Sequence, residues 1–110
     1  MQDLYAERDQ KTRELDKAIK HLRKSGTAYA QAERDYKVLL RVECLKLRDS
    51  GMAVGLIEKV CYGIPCVAEA RFKRDVAETV YKANQEAINS VKLQLRLIES
   101  QITREWGSSV

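Results

Sequence analysis

Proline and histidine each occur once in the 110 residues, glycine occurs five times, and only 6% of the side chains are aromatic. Each scarcity excludes something. Pro65 is the only obligatory helix breaker, and three of the five glycines (Gly51, Gly55 and Gly63) lie between Asp49 and Ala70. Outside that stretch almost nothing interrupts a helix. A single histidine leaves no Ser/His/Asp set unless His21 is its member. In "IKHLRKSG" helical spacing puts His21 on a solvated surface, so no catalytic residues are assigned. The low aromatic content disfavours a thick globular core. No apolar run approaches the roughly 18–20 residues of a membrane span. No signal-peptide pattern opens the chain, so a cytoplasmic location is expected.

Cysteine is present as an odd set, Cys44, Cys61 and Cys66, with no CxxC pair. Cys61 and Cys66 are five apart, and His21 is far off in sequence, so neither a metal site nor any other cofactor is expected. Three buried, small, apolar side chains in a reducing compartment are the expectation.

What the chain has in abundance is charge, at 33% of residues, beside 45% apolar side chains. The formal net charge is +4: residues 1–50 carry 12 basic and 9 acidic groups, residues 51–110 carry 8 and 7. This dispersed excess permits a nucleic-acid partner without requiring one. Gly51, Gly55 and Gly63 form no phosphate-cradling loop, since no strand precedes them.

The apolar spacing predicts two long helices. In the first arm, about 3–49, Leu15, Ala18, Leu22, Ser25, Tyr29, Ala32, Tyr36, Leu39 and Glu43 follow alternating three- and four-residue steps, widened by Leu40 and Leu47. Leu4 extends the phase upstream, where Arg8 and Lys11 interrupt it, so the first ten residues are expected to fray or to pack on something outside the chain. Gly26 marks a kink or a close helix contact. In the second arm, about 66–106, the predicted seam is Phe72, Val76, Val80, Ala83, Ala87, Val91, Leu95, Ile98 and Ile102, broadened by Leu93 and Leu97 and closed by Trp106. Gly107 is the expected stop, and 107–110 a disordered tail. Glu14 with Lys17, Glu33 with Lys37 and Glu78 with Lys82 have salt-bridge spacing. The fold class that follows is all-α: one domain over residues 1–110, an antiparallel, coiled-coil-like helical hairpin. Because its stripes are broader than one partner helix needs, it is expected to dimerise into a bundle.

The corner, 50–65, reads as a short helix from Ala53 to Tyr62 with Val54, Ile57, Val60 and Cys61 on one face. Gly63 stops it, and Pro65 opens the second arm. Its cadence is similar to a DNA-binding helix-turn-helix over 53–74, with Arg71, Lys73 and Arg74 on the second helix. Against that stand a turn one residue too long, Glu58 at a packing position, and an arm that continues straight on. Two readings remain for the corner: a plug, with Met52, Leu56, Ile57 and Ile64 capping the seam, or an apolar recognition tip bearing Leu56, Val60 and Tyr62.

"LRDSGMAVGLIEKV" followed by "ARFKRDVAETVYKANQEAINSVKLQLRLIESQITREWG", roughly Tyr36 to Gly107, resembles small helical-hairpin accessory proteins of phages and prophages of Gram-positive bacteria. That family has no settled activity, and the corner cysteines and Pro65 depart from its pattern. The resemblance implies a non-enzymatic, anti-defence or anti-CRISPR-like protein. Such a protein binds and inhibits or modulates a host nucleic-acid-processing complex, such as a CRISPR nuclease, or the recombination machinery. The expected contact residues are Leu56, Val60, Tyr62, Arg71, Lys73 and Arg74. The alternatives are a helix-turn-helix-like DNA-binding regulator and a structural scaffold oligomer.

Overall fold

A computed structural model describes residues 2–108, with side chains described for 3–107. The described residues form three helices and no strand: α1 (Gln2–Asp49), α2 (Val54–Cys61) and α3 (Pro65–Ser108). This all-α order is consistent with a helical hairpin. No helix among the described residues is long and apolar enough to cross a membrane.

The helix ends follow from local chemistry. Lys46 and Arg48 lie in the last turn of α1, where cations suit the carbonyl end. Gly51 then takes φ 90°, a left-handed conformation that favours glycine. Its N–H donates to Arg48 O at 3.0 Å, and that of Met52 to Leu47 O at 3.2 Å. These two bonds satisfy otherwise orphaned carbonyls in the Schellman arrangement. Gly63 donates to Val60 O and Ile64 to Cys61 O, closing α2. Pro65 occupies the first position of α3, where its missing N–H costs nothing. At the other terminus α1 is helical from Gln2. Gly107 and Ser108 belong to α3, so Gly107 does not stop it; positions 109–110 of the expected tail lie outside the described residues.

Packing divides into two units, Met1–Lys24 with Lys82–Val110, and Ser25–Tyr81. In the first, α1 and α3 run in opposite directions around buried Ile88, Ile98 and Ile102. The Trp106 indole N–H donates to Tyr5 Oη at 2.7 Å, and Asn84 Nδ2 donates to His21 O at 3.4 Å. Arg8 lies over the Tyr5 ring at 5.0 Å, and Lys11 pairs with Glu14 at 3.2 Å. The charged residues that interrupt the upstream phase are thus half-buried partners within the unit, and Glu14 pairs upstream rather than with Lys17.

In the second unit the core is Tyr36, Cys61 and Val67, with Leu39, Leu40, Cys44, Leu47, Ile64 and Ala70 packed against it. Ser25 is buried, and α1 passes Gly26 unbroken: a Cβ there would lie 3.1 Å from Tyr81 Cε1. Gly26 is therefore the close-contact glycine rather than a kink. Tyr81 in turn packs on Tyr29, with ring centroids 5.9 Å apart.

Every residue of the predicted α1 seam is buried or half-buried. The α3 seam departs from expectation in its first half. Phe72, Val76 and Val80 are exposed, as are Ala83 and Ala87. The inward row is Val67, Ala70, Arg74, Ala77, Tyr81, Asn84, Ile88, Val91, Leu95, Ile98 and Ile102. Geometry explains the difference. At the 3.5-residue repeat of paired helices, the nineteen positions from Phe72 to Val91 leave the two about 150° apart around the helix, so no single face holds both. Val67 to Ile88 is three exact heptads and keeps phase. Leu93, Leu97 and Trp106 are also exposed rather than seam-broadening or seam-closing.

Replacing Gly26 with valine is expected to destabilise the fold by about 1–3 kcal/mol, because the branched side chain meets Tyr81. Gly51→Ala should cost about 1–2 kcal/mol through its left-handed backbone. Exposed Gly55→Ala, which meets nothing within 4 Å, should gain up to about 1 kcal/mol. Urea unfolding midpoints followed by circular dichroism test all three.

Candidate functional site: an apolar corner with two grooves

All the contact residues expected from the sequence fall in the Ser25–Tyr81 unit. So do ten of the thirteen exposed large apolar side chains among the described residues, Val38, Val42, Leu45, Val54, Leu56, Val60, Tyr62, Phe72, Val76 and Val80. Three of them lie on α2, which is only eight residues long. One turn inserts Cys61 into the core and half-buries Ile57, which leaves Val54, Leu56 and Val60 outside. The corner is therefore half-buried on one side and exposed on the other. Met52, Ile57 and Ile64 are half-buried as a cap, whereas Leu56, assigned to the cap in one reading, is 53% exposed.

Two open grooves flank this unit. The larger, about 620 Å³, runs between the end of α1 and α2, lined by Leu40, Arg41, Cys44, Leu45, Arg48, Val54, Ile57, Glu58, Cys61 and Tyr62. The second, about 500 Å³, lies between α1 and the start of α3 and includes Asp35, Leu39, Cys66, Glu69 and Lys73.

The six expected contact residues do not form one patch. Leu56 and Val60 share the outer face of α2. Tyr62 stands beside them, with the Arg71 guanidinium over its ring at 5.5 Å. Lys73 lines the second groove. Arg74 turns inward: its guanidinium lies 4.6 Å over the Tyr36 ring, and its Nε and Nη2 donate to Asp75 Oδ1 at 3.0 and 2.8 Å. The Asp75 bond, more than any other influence, raises the Arg74 pKa above its ordinary value. Arg74 therefore roofs the core aromatic. Leu45 and Arg48, not among the expected contact residues, line the larger groove, as does Val54, which the sequence placed on one face with Ile57. The signal available for Leu45 was the row Val38, Val42, Leu45 beside the seam.

The cysteines also depart from expectation: only Cys61 is buried, Cys44 is half-buried and Cys66 is exposed. The Cys44 thiol donates to Cys61 Sγ at 3.1 Å, and Cys61 donates to Leu40 O at 3.6 Å. Cys66 Sγ lies 3.7 Å from Glu43 Oε1. Burial first, then the contact with Cys44, pushes the Cys61 thiol up from 9.0 to about 11. Among the described residues, no three His, Cys, Asp or Glu side chains group so as to hold a metal ion.

Compared with protein-family models, with curated proteins and with solved structures, the chain matches none.

The Cys61 shift has a definite sign in stability. The unfolded thiol releases its proton near pH 9.0, while the folded one holds it to about 11. This contribution is therefore fully present below about pH 9 and is lost as pH rises toward about 11. Wild-type stability should fall more between about pH 8 and about pH 10 than that of Cys61→Ala, by chemical denaturation at each pH. Equal falls would show that Cys61 is not the titrating group.

Proposed function

We propose that this protein acts by binding rather than by chemistry, gripping a protein partner through the apolar corner of the Ser25–Tyr81 unit. The observation that carries the reading is the exposure of four large apolar side chains within nine residues of the corner, Val54, Leu56, Val60 and Tyr62, beside Cys61, which fills the core. Scattered surface leucines need no explanation, but a concentration of this kind marks interaction surfaces. An apolar helix face suits a groove lined by Leu40, Leu45, Val54 and Ile57, with Arg41, Arg48 and Glu58 available to orient it.

The second element of the proposal is self-association through the α3 row Phe72, Val76 and Val80. These side chains lie at helical spacing on a face the unit itself leaves uncovered, so a second copy would bury them as a bundle does. The resemblance to phage and prophage accessory proteins supplies the class of target: a host nucleic-acid-processing complex, such as a CRISPR nuclease, inhibited or modulated by contact. DNA reading by the corner is the weaker alternative, because Arg74 is engaged with Asp75 and Tyr36.

Light scattering should give a particle of twice the 12.6 kDa chain mass, and Val76→Asp with Val80→Asp should return it to one chain. A wild-type particle of 12.6 kDa overturns the dimer. In pull-downs from a Gram-positive host lysate, the wild-type chain should retain a nuclease or recombination protein in stoichiometric amount. Leu56→Asp with Val60→Asp should retain at least about ten-fold less, the scale of a lost apolar anchor. Equal retention by both chains removes the corner from the interface.

A further inference from the structure

Three cysteines fall within the short span from the end of α1 to the start of α3, and two of them touch. Cys44 comes from α1, Cys61 from the last turn of α2, and their sulfurs are 3.1 Å apart. We propose that Cys44 and Cys61 are a redox-modifiable thiol pair, converted by a small-molecule disulfide of the glutathione type into an intramolecular disulfide that staples α2 onto α1.

The surroundings divide the roles. Cys44 is half-buried and lines the open groove between α1 and α2, so a small disulfide reaches it from solvent. Cys61 is fully buried and held as the neutral thiol, which makes it a poor first nucleophile but places it directly behind Cys44. In the first step the Cys44 thiolate attacks one sulfur of the small disulfide. A protein–small-molecule mixed disulfide forms and one small thiolate leaves. In the second step Cys61 gives its proton to a departing thiolate and attacks Cys44 Sγ. The Cys44–Cys61 bond forms and the second small thiol is released. The protein loses two protons and two electrons, and the small disulfide gains them to become two thiols.

The segment that must move is built to do so. α2 is a single short helix between two irregular connections, Ser50–Ala53 and Tyr62–Ile64. The sulfurs need close by only about 1 Å to reach bonding distance. Cys66 is exposed and lies against Glu43 rather than against the pair, so it is not a member of it. Because α2 carries Leu56 and Val60, oxidation fixes the element that presents the corner's apolar face. The thiol pair itself does not depend on what that face binds.

The test treats the whole protein with oxidised glutathione, removes excess reagent and digests with trypsin without reduction. In wild type and in Cys66→Ser alike, the segment 42–46 should appear joined to 60–71, and dithiothreitol should release it. Cys66→Ser is the decisive chain, because there segment 60–71 contains only Cys61. Oxidation should also raise the thermal midpoint by at least about 5 °C in both proteins, as closure of a short loop predicts. Cys44→Ser should stop short of any internal disulfide and show no rise, with circular dichroism confirming that it keeps its helices. Failure of Cys66→Ser to yield the joined segments, or linkage running only between chains, overturns the proposal.

Discussion

Two paired helices can shelter only one row of side chains on each, and the rest of this structure depends on that constraint. Where α1 and α3 run side by side, the sheltered rows alternate steps of three and four. Everything outside those rows stays wet unless a third element covers it. Among the described residues the eight-residue α2 is the one such element. It adds Cys61 to a core whose fully buried apolar members are otherwise few.

The same constraint accounts for the composition of the sheltered row on α3. Arg74, Tyr81 and Asn84 occupy it, while Phe72, Val76 and Val80 do not. Arg and Tyr can lay apolar stems and rings against a neighbour while keeping a polar tip satisfied. Arg74 does this over Tyr36 with Asp75 holding its guanidinium, and Tyr81 does it against Gly26 and Tyr29. Close approach at Gly26 leaves space for an aromatic ring, and the branched valines then project outward. The result is an outward apolar row beside a filled inward one.

At the corner, packing and chemistry are joined by the same few residues. Cys61 plugs the core, forms part of the floor of the larger groove and touches Cys44. Leu56 and Val60, one turn of α2 away, face solvent. A change in how α2 sits against α1 therefore acts on core, groove and exposed face together. The irregular connections on either side confine that change to the corner.

The sequence by itself determined the helical class, the corner between Asp49 and Pro65, and the α1 seam. Each rests on spacing or on a residue type that acts locally: strict alternation of threes and fours, a proline at a helix start, glycines at helix ends. Tertiary structure alone decided which of two apolar rows on α3 turns inward. Hydropathy favours the Phe and Val row, whereas the choice belongs to shape, to the fit of Tyr81 on Gly26 and of Arg74 on Tyr36. Only tertiary structure separated Arg74 from Arg71 and Lys73, and only it brought Cys44 against Cys61 across seventeen positions of chain. Local spacing records which faces a helix has, but which face meets a neighbour is fixed by the neighbour.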